Sequence, residues 1–457
     1  MFQNEDTIAA QATPPGEGGI SVIRISGPGT YAIADHVFRC HGPQPSLRDP
    51  YTFAHGRILE DDTAIDECLM LFMRAPKSFT GEDVVEIHSH GGVRTADRIL
   101  RCLARCGARP AEPGEFTRRA FLNGKIDLVQ AEAVGDLIRA RSDRAAAAAY
   151  EQLEGRLSSQ FNSIYDQVLH VAGELEATLD FPEEEVPEPV MDLIRSRLDH
   201  CRSDLATLAE TWHEGHVLRE GALIVISGPP NVGKSTLMNL LLGRDRAIVS
   251  NIAGTTRDTL EEGFVIGGIP VRIVDTAGLR DTECEIEQEG MRRAEKYLQT
   301  SDIQIVMIDI SGEVNPRDVE FIRSLDSGKS IVVLNKCDLG REVSPQLFSG
   351  HCVIEASLTD GVGLERIKEM LEQCLTENFD LTTQPHAMIS SRHFRLLNEA
   401  RERVNEAIEN LVAGGETEEV IAASALRCAL DALGRVTGRV YEVELLDSIF
   451  SRFCIGK

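Results

Sequence analysis

Gly228-Pro-Pro-Asn-Val-Gly-Lys-Ser235 has the residue types a backbone needs to wrap an anion. Glycines let successive N–H groups turn inward onto phosphate oxygens. The lysine brings charge to the terminal phosphates, and the serine hydroxyl is a hard oxygen ligand for Mg²⁺. The run follows a strand-like stretch, Leu223–Ser227, and opens into a helix-forming one, Thr236–Leu242, so a helix dipole adds to the same pole. Asn231, Val232, Gly233, Lys234, Ser235 and Thr236 are therefore the expected phosphate cradle, with Lys234 as a catalytic charge and Ser235 as a metal ligand.

Two more motifs end strand-like runs. Asp275-Thr-Ala-Gly278 follows Val271–Val274. An acid there can hold Mg²⁺ through water and the Gly278 N–H can meet a γ-phosphate, which adds Asp275, Thr276, Ala277 and Gly278 to the nucleotide contacts. DxxG is a weak pattern alone and a strong one downstream of a P-loop. Asn335-Lys-Cys-Asp338 follows Ile331–Leu334. Its carboxylate can accept from N1 and N2 of guanine, donors adenine lacks, so GTP rather than ATP is the expected substrate, with Asn335, Lys336 and Asp338 as contacts. The final base loop falls in Ser357-Leu-Thr-Asp-Gly-Val-Gly363, read either as Ser357-Leu358 or as Ala356-Ser357. Between the P-loop and DxxG, Gly254-Thr-Thr-Arg-Asp258 is placed to supply a switch hydroxyl to Mg²⁺: Thr256, with Thr255 beside it.

The residue after DxxG is Leu279, which has no donor or acceptor with which to orient water. Glu287, in the acidic segment Glu283–Glu289, is the expected substitute. No arginine finger is apparent. The Asn231 side-chain oxygen can instead hold a monovalent cation beside the β- and γ-phosphates and supply the missing positive charge.

These motifs need a scaffold of alternating strands and helices. From about residue 221 to 378 short apolar runs alternate with helical ones, the pattern of an α/β domain with a mainly parallel sheet. Residues 7–120 read differently. Ile20–Ile25, Asp66–Met73 and Val84–His88 are strand candidates among Gly/Pro turns, a helix is expected at about 93–106, and the segment is α+β. Residues 126–218 are helical. Phe161, Ile164, Val168, Leu175 and Leu179 form one stripe, Asp180-Phe-Pro interrupts it, and a second helix is expected at about 189–213. After Thr382-Thr-Gln-Pro the chain is helical again, with Phe394, Leu397, Val404, Ile408 and Leu411 on one face. Helical blocks on both sides of an α/β block indicate an insertion. The fold class is multidomain α+β: an N-terminal α+β domain (1–122), a central helical domain split in sequence (123–219 and 380–457), and an inserted Rossmann-like α/β P-loop G domain (220–379).

Composition narrows the surroundings. Apolar content of 42% and charged content of 26% are ordinary for a globular protein, and no run is long enough to cross a bilayer. The N-terminus shows no signal peptide. Eleven dispersed cysteines read as reduced thiols, and a cytoplasmic location follows. Cys102 and Cys106 lack the partners a zinc site needs. A net charge of −26 repels nucleic acid at long range, so RNA contact must use a local basic patch. Arg98, Arg101, Arg105 and Arg109 are spaced like one helical face, followed by Arg118 and Arg119; the stripe reads as a solvated face.

The G motifs together resemble the TrmE–Era branch of P-loop GTPases. The chain ends are more specific. The run from Asp6-Thr-Ile-Ala-Ala-Gln to Ile25-Ser-Gly27, then Ser78-Phe-Thr-Gly-Glu-Asp-Val-Val-Glu-Ile87, Pro113-Gly-Glu-Phe116, Arg119–Leu128, Asp180-Phe-Pro-Glu-Glu184 and Phe453-Cys-Ile-Gly-Lys457 resemble the MnmE (TrmE) family of tRNA-modification GTPases, in order and over nearly the whole chain. The resemblance implies a folate-binding, dimerising N-terminal domain, a helical domain and an inserted G domain in a homodimer. It implies an FAD-dependent partner subunit in a heterotetramer, tRNA as the object of modification, no membrane, and an aminomethyl-type (carboxymethylaminomethyl) group placed on C5 of a wobble uridine. The carbon would come from a tetrahydrofolate derivative, 5-formyl or 5,10-methylene.

By position, Arg24, Glu86, Lys125 and Lys457 match the family's folate contacts: cations suit the carboxylates, and an acid suits the pterin edge. The family pattern gives a K⁺ shell of the Asn231 side chain with carbonyls of Ser250, Ile252 and Thr255, and makes Glu287 the water-orienting acid. Thr256, Arg257 and Asp258 would lie where G domains pair. Cys454 stands as a nucleophile candidate, since thiolates attack pyrimidine carbons, or as a small apolar filler. Pro229 in the P-loop and the altered last guanine loop depart from the family pattern, and neither removes a catalytic group. Two other readings compete. A ribosome-assembly GTPase would carry a basic RNA-binding module, where this chain ends in acidic-to-neutral helix. A folate enzyme merely regulated by GTP would need no tRNA.

Overall fold

The computed structural model describes residues 6–180, 188–244, 261–275, 297–378 and 389–457. Its contacts divide the chain into two compact units. One comprises residues 1–135, 153–197 and 406–457; the other comprises 136–152 and 198–405.

The first unit is built on a seven-stranded sheet. Its strands are β1 (Ile8–Gln11), β2 (Ile20–Ser26), β3 (Phe38–Cys40), β4 (Phe53–Glu60), β5 (Thr63–Met73), β6 (Val84–His90) and β7 (Arg109–Pro110). The order is β3-β4-β5-β6-β2-β1-β7, antiparallel except for β1 with β7. Period-two alternation sorts the faces. Ile23, Ile25, Met70, Phe72, Val85 and Ile87 point into one core. There they meet Ile33 and Val37 of the helix Thr30–Val37 and Ile99 and Leu103 of the helix Val93–Arg105. The alternate residues Arg24, Glu86, His88 and Leu71 fall on the other face and are only partly buried.

In the same unit the helix Arg156–Asp180 packs along Glu416–Thr437, burying Phe161, Ile164, Val168 and Leu175 from the expected stripe. The C-terminal helix Val443–Phe450 packs on Glu115–Leu122, around Phe121, Leu128, Leu446, Phe450 and Phe453. Gly135 lets the Phe453 ring approach, since a Cβ there would lie 3.2 Å from its Cζ.

The arginine stripe is not one helical face. The helix stops at Arg105, and Gly107, at φ 103°, turns the chain so that Arg109 enters β7. Arg98 and Arg105 pair with Glu60 and Arg101 with Asp97. The helix expected at about 189–213 is found at Glu188–Glu210, and a further helix, Trp212–Glu220, follows it.

The second unit holds a six-stranded sheet: β8 (Ala222–Ser227), β9 (Glu261–Ile266), β10 (Ile269–Asp275), β11 (Ile303–Asp309), β12 (Ser330–Asn335) and β13 (Cys352–Glu355), in the order β13-β12-β11-β8-β10-β9. All pairs are parallel except β9 with β10. Every residue of β8 and β12 is buried, as a parallel sheet covered on both faces requires. Alternate residues serve different cores. Ile224, Ile226, Ile331 and Val333 join one cluster with Leu237 and Ile367, while Val332 and Leu334 join another with Ile322 and Phe348. No helix among the described residues is long and apolar enough to cross a membrane.

Candidate functional site

The parallel strands of the second unit end together, and their C-terminal ends are where loops and helix N-termini can face a ligand. Gly228, directly after β8, has φ 137° and lies against β11: a Cβ there would stand 2.3 Å from the Met307 carbonyl oxygen. Asn231 takes the left-handed conformation at φ 61° and is exposed. Gly233, at φ 104°, opens the helix Lys234–Arg244; a Cβ there would meet Asn335 Nδ2 at 2.5 Å. The loop thus has the wrapped form its glycines predict.

Lys234 is 5% exposed, and its Nζ donates to the Gly228 and Pro229 carbonyls at 2.9 and 2.6 Å. The ammonium is folded back over the loop it must charge. Ser235 and Thr236 are exposed at the helix N-terminus, and Ser235 Oγ donates to Asp275 Oδ2 at 3.0 Å. A hydroxyl and a carboxylate in contact form a hard-oxygen pair of the kind that suits Mg²⁺, which Ser235 could bind directly and Asp275 through water.

Asn335 is 4% exposed and ties three loops together. Its Nδ2 donates to the Val232 carbonyl at 2.8 Å, and its Oδ1 accepts from the Leu358 N–H at 3.2 Å. Asp338 is exposed beyond it. The last loop is closed by Ser357, whose N–H donates to the Val362 carbonyl at 3.1 Å and whose Oγ donates to Asp360 Oδ2 at 2.9 Å. Ser357 is buried and the Leu358 N–H is held by Asn335, so this segment sits beside the end of β12. Ser250, Ile252, Thr255, Thr256, Thr276, Ala277, Gly278 and Glu287 lie outside the described residues.

The first unit gathers a second set. Arg24 and Glu86 are register partners on β2 and β6, joined by Nε to Oε1 at 2.9 Å and by a second guanidinium contact at 2.8 Å. The Arg24 guanidinium also stands 5.6 Å from the ring centres of Phe79 and Phe116. Lys125 Nζ donates to the Pro76 carbonyl at 3.1 Å, and its stem lies against Gly81. The chain terminus docks nearby: the Phe116 N–H donates to the Lys457 carbonyl at 3.2 Å, and a Cβ on Gly456 would lie 2.3 Å from the Gln11 carbonyl oxygen. Phe116 thus touches both Arg24 and Lys457, and the 76–81 segment touches both Arg24 and Lys125. Arginine, carboxylate and aromatic rings fit a flat heterocycle bearing carboxylates. Cys454 is exposed, and its carbonyl accepts from the Gly114 and Lys457 N–H groups.

Two family models match the chain. The GTP-binding protein TrmE N-terminus matches residues 7–125, and the MnmE helical domain matches residues 128–454. The chain is also similar to the tRNA modification GTPase MnmE of Natranaerobius thermophilus, 40% identical over 459 residues that span 99% of this chain and 100% of that protein. The same-named proteins of Syntrophotalea carbinolica and Listeria welshimeri are 41% and 40% identical, again over 99% of this chain and at least 99% of theirs. The chain belongs to the MnmE family of tRNA modification GTPases.

The residues found by motif are backed by pairings that the motifs do not show. Asp6, Glu82, Arg109, Glu115 and Arg119 form an ionic network around β1 and the helix Glu115–Leu122. It braces the helix that carries Phe116. The Glu115–Arg119 pair has helical i,i+4 spacing, but its link to Asp6 has no local signal, because Asp6 and Arg119 are 113 residues apart. His88 was within reach: Glu86-x-His88 in a strand puts both side chains on one face, and His88 Nε2 lies 3.5 Å from Glu86 Oε2.

Proposed function

We propose that this chain is a potassium-activated, Mg²⁺-dependent GTPase whose hydrolysis cycle drives wobble-uridine modification. With an FAD-dependent partner subunit it installs the aminomethyl-type group on C5 of that uridine in certain tRNAs, using a tetrahydrofolate one-carbon donor. It works as a cytoplasmic homodimer whose G domains pair during hydrolysis, and the three-part organisation drawn from the sequence belongs to this reading. The observation that carries it is the convergence of the P-loop, Asp275 and Asn335 on one strand edge, in a chain that matches tRNA modification GTPases end to end.

Each group has its part. Lys234 and the helix N-terminus hold the phosphates; Ser235 and Thr256 hold Mg²⁺; Asn231, with the Ser250, Ile252 and Thr255 carbonyls, holds K⁺; Glu287 orients water. Arg24, Glu86, Lys125 and Lys457 bind the folate, and Cys454 stands by them as a candidate nucleophile. Nucleoside analysis of tRNA from a strain lacking this gene tests the reading. The modified wobble uridine should disappear and return on complementation; unchanged modification would remove it. Turnover should rise at least tenfold in K⁺ over Na⁺, because a monovalent cation replaces an arginine's charge at the phosphates, and Asn231→Ala should abolish the difference. Equal rates in the two salts would remove potassium from the scheme.

A further inference from the structure

The strand edge of the second unit carries a charged contact between the base motif and Asp309, a residue that neither the phosphate nor the base motif contains. Asp309 closes β11, and its register partner Asn335 closes β12. The next residue, Lys336, has φ 64° and sends its side chain back to β11, placing Nζ 2.6 Å from Asp309 Oδ2. The carboxylate is fixed from its other side as well: Oδ1 accepts from the Ser311 N–H at 3.0 Å and the Ser311 hydroxyl at 2.6 Å. Partial burial pushes the Asp309 carboxyl up, but the Lys336 ammonium and the Ser311 donors outweigh it and hold the group below the ordinary carboxylate range. The pair is not sealed in, for 31% of Lys336 and 30% of Asp309 remain exposed.

Its place decides its use. The order β12-β11-β8 puts Asp309 between the strand that leads to Asp338 and the strand that leads to the P-loop. A nucleotide with phosphates at Lys234 and base at Asp338 must cross the end of β11. The Lys336 stem and the Asp309 carboxylate then lie along the path of its nucleoside.

We infer that Asp309 is a positioning residue for guanine nucleotides: it fixes Lys336 beneath the nucleoside, and Lys336 in turn screens the Asp309 carboxylate from the anionic ligand. The inference rests on reading this strand edge as the GTP site and adds to that site a residue no nucleotide motif contains.

The two halves of the pair should fail unequally. Asp309→Asn keeps an oxygen for Ser311 but releases Lys336, and should weaken GDP binding about fivefold. Lys336→Met removes the cation and leaves a carboxylate facing a polyanion, and should weaken it about thirtyfold. The double variant removes that repulsion, so it should bind GDP more tightly than Lys336→Met alone. A purely structural aspartate would make the two losses multiply instead. Calorimetric titration of GDP with Mg²⁺ into the four full-length proteins is the test. In turnover assays Asp309→Asn should raise KM and spare kcat, with Asp309→Glu recovering part of the loss. Multiplying losses, or Asp309→Asn binding within twofold of the unaltered chain, would overturn the inference while the GTP site stands. Failure of the unaltered chain to bind GDP would overturn both.

Discussion

Replacing Lys234 by alanine is expected to lower GTP turnover about a thousandfold. Hydrolysis spreads negative charge over the γ-phosphoryl and β-γ bridging oxygens, and the protein's main work is to meet that charge with fixed positive groups. Here the fixing is visible in the loop's own contacts. The Gly228 and Pro229 carbonyls grip the ammonium, and the surrounding loop leaves the side chain 5% exposed. A charge held in a low-dielectric pocket acts more strongly than one in water and needs no reorganisation during the reaction. Folding should survive the change, because an enclosed ammonium opposes folding through its lost hydration. Phosphate release at saturating GTP and Mg²⁺, with a melting curve as control, measures the effect. Turnover within a few-fold of the unaltered chain, at an unchanged melting temperature, would move the phosphate charge to another residue.

Burial of the sheet explains why the strands that lead to the phosphate and base motifs are legible in the sequence and much of the N-terminal unit is not. β8 and β12 are buried along their whole length and read as continuous apolar runs, and the runs Leu223–Ser227, Val271–Val274 and Ile331–Leu334 named in the sequence lie in β8, β10 and β12. Phosphate chemistry then fixes short motifs at the strand ends. β4 offers neither cue. His55 and Arg57 are exposed, and Gly56 looks like a turn, whereas it is needed because a Cβ would lie 2.3 Å from the Arg39 carbonyl oxygen of β3. Arg109 misled for a related reason. Its spacing from Arg105 continues the helical period, and only Gly107 signals that the helix has ended. Arg24 and Glu86 entered through resemblance alone, since nothing in 62 residues of separation shows that β2 and β6 are neighbours in register. Pairings of that kind belong to tertiary structure, which a period along the chain does not encode.

Arg119 gathers three carboxylates in a nearly buried site, and Arg119→Met should destabilise the N-terminal unit by about 3 kcal/mol. Its guanidinium is 4% exposed. It donates to Asp6 Oδ1 at 2.6 Å, to the Asp6 carbonyl at 3.0 Å, to Glu115 Oε1 at 3.0 Å and to Glu82 Oε1 at 3.2 Å. Glu82 is in turn held by the Ser26 hydroxyl at 2.7 Å, and Arg109 shares Asp6 and Glu115. Methionine fills similar space but leaves Asp6 and Glu115 to Arg109 and takes from Glu82 the guanidinium it pairs with, Glu115 and Glu82 being only 6% and 11% exposed. An unbalanced buried charge costs far more than a well-formed pair contributes. The pH dependence separates this from a packing defect. Burial pushes the Asp6 and Glu115 carboxyls up, but the arginines outweigh it and hold both below the ordinary range. Groups with depressed folded values stabilise the protein above their unfolded pKa, about 4, and that contribution is lost as pH falls through the lower folded value. In Arg119→Met the folded values should rise, so the variant recovers by taking up protons while the unaltered chain does not. The stability difference should therefore be largest at pH 7 and shrink toward pH 4.5, read as the melting shift of the transition reporting the N-terminal unit. A difference that stays constant across that range would assign the loss to packing. Because the network braces the helix bearing Phe116, the ring against which Arg24 stands, the same variant should weaken the folate binding proposed for the Arg24–Glu86 face even where it remains folded.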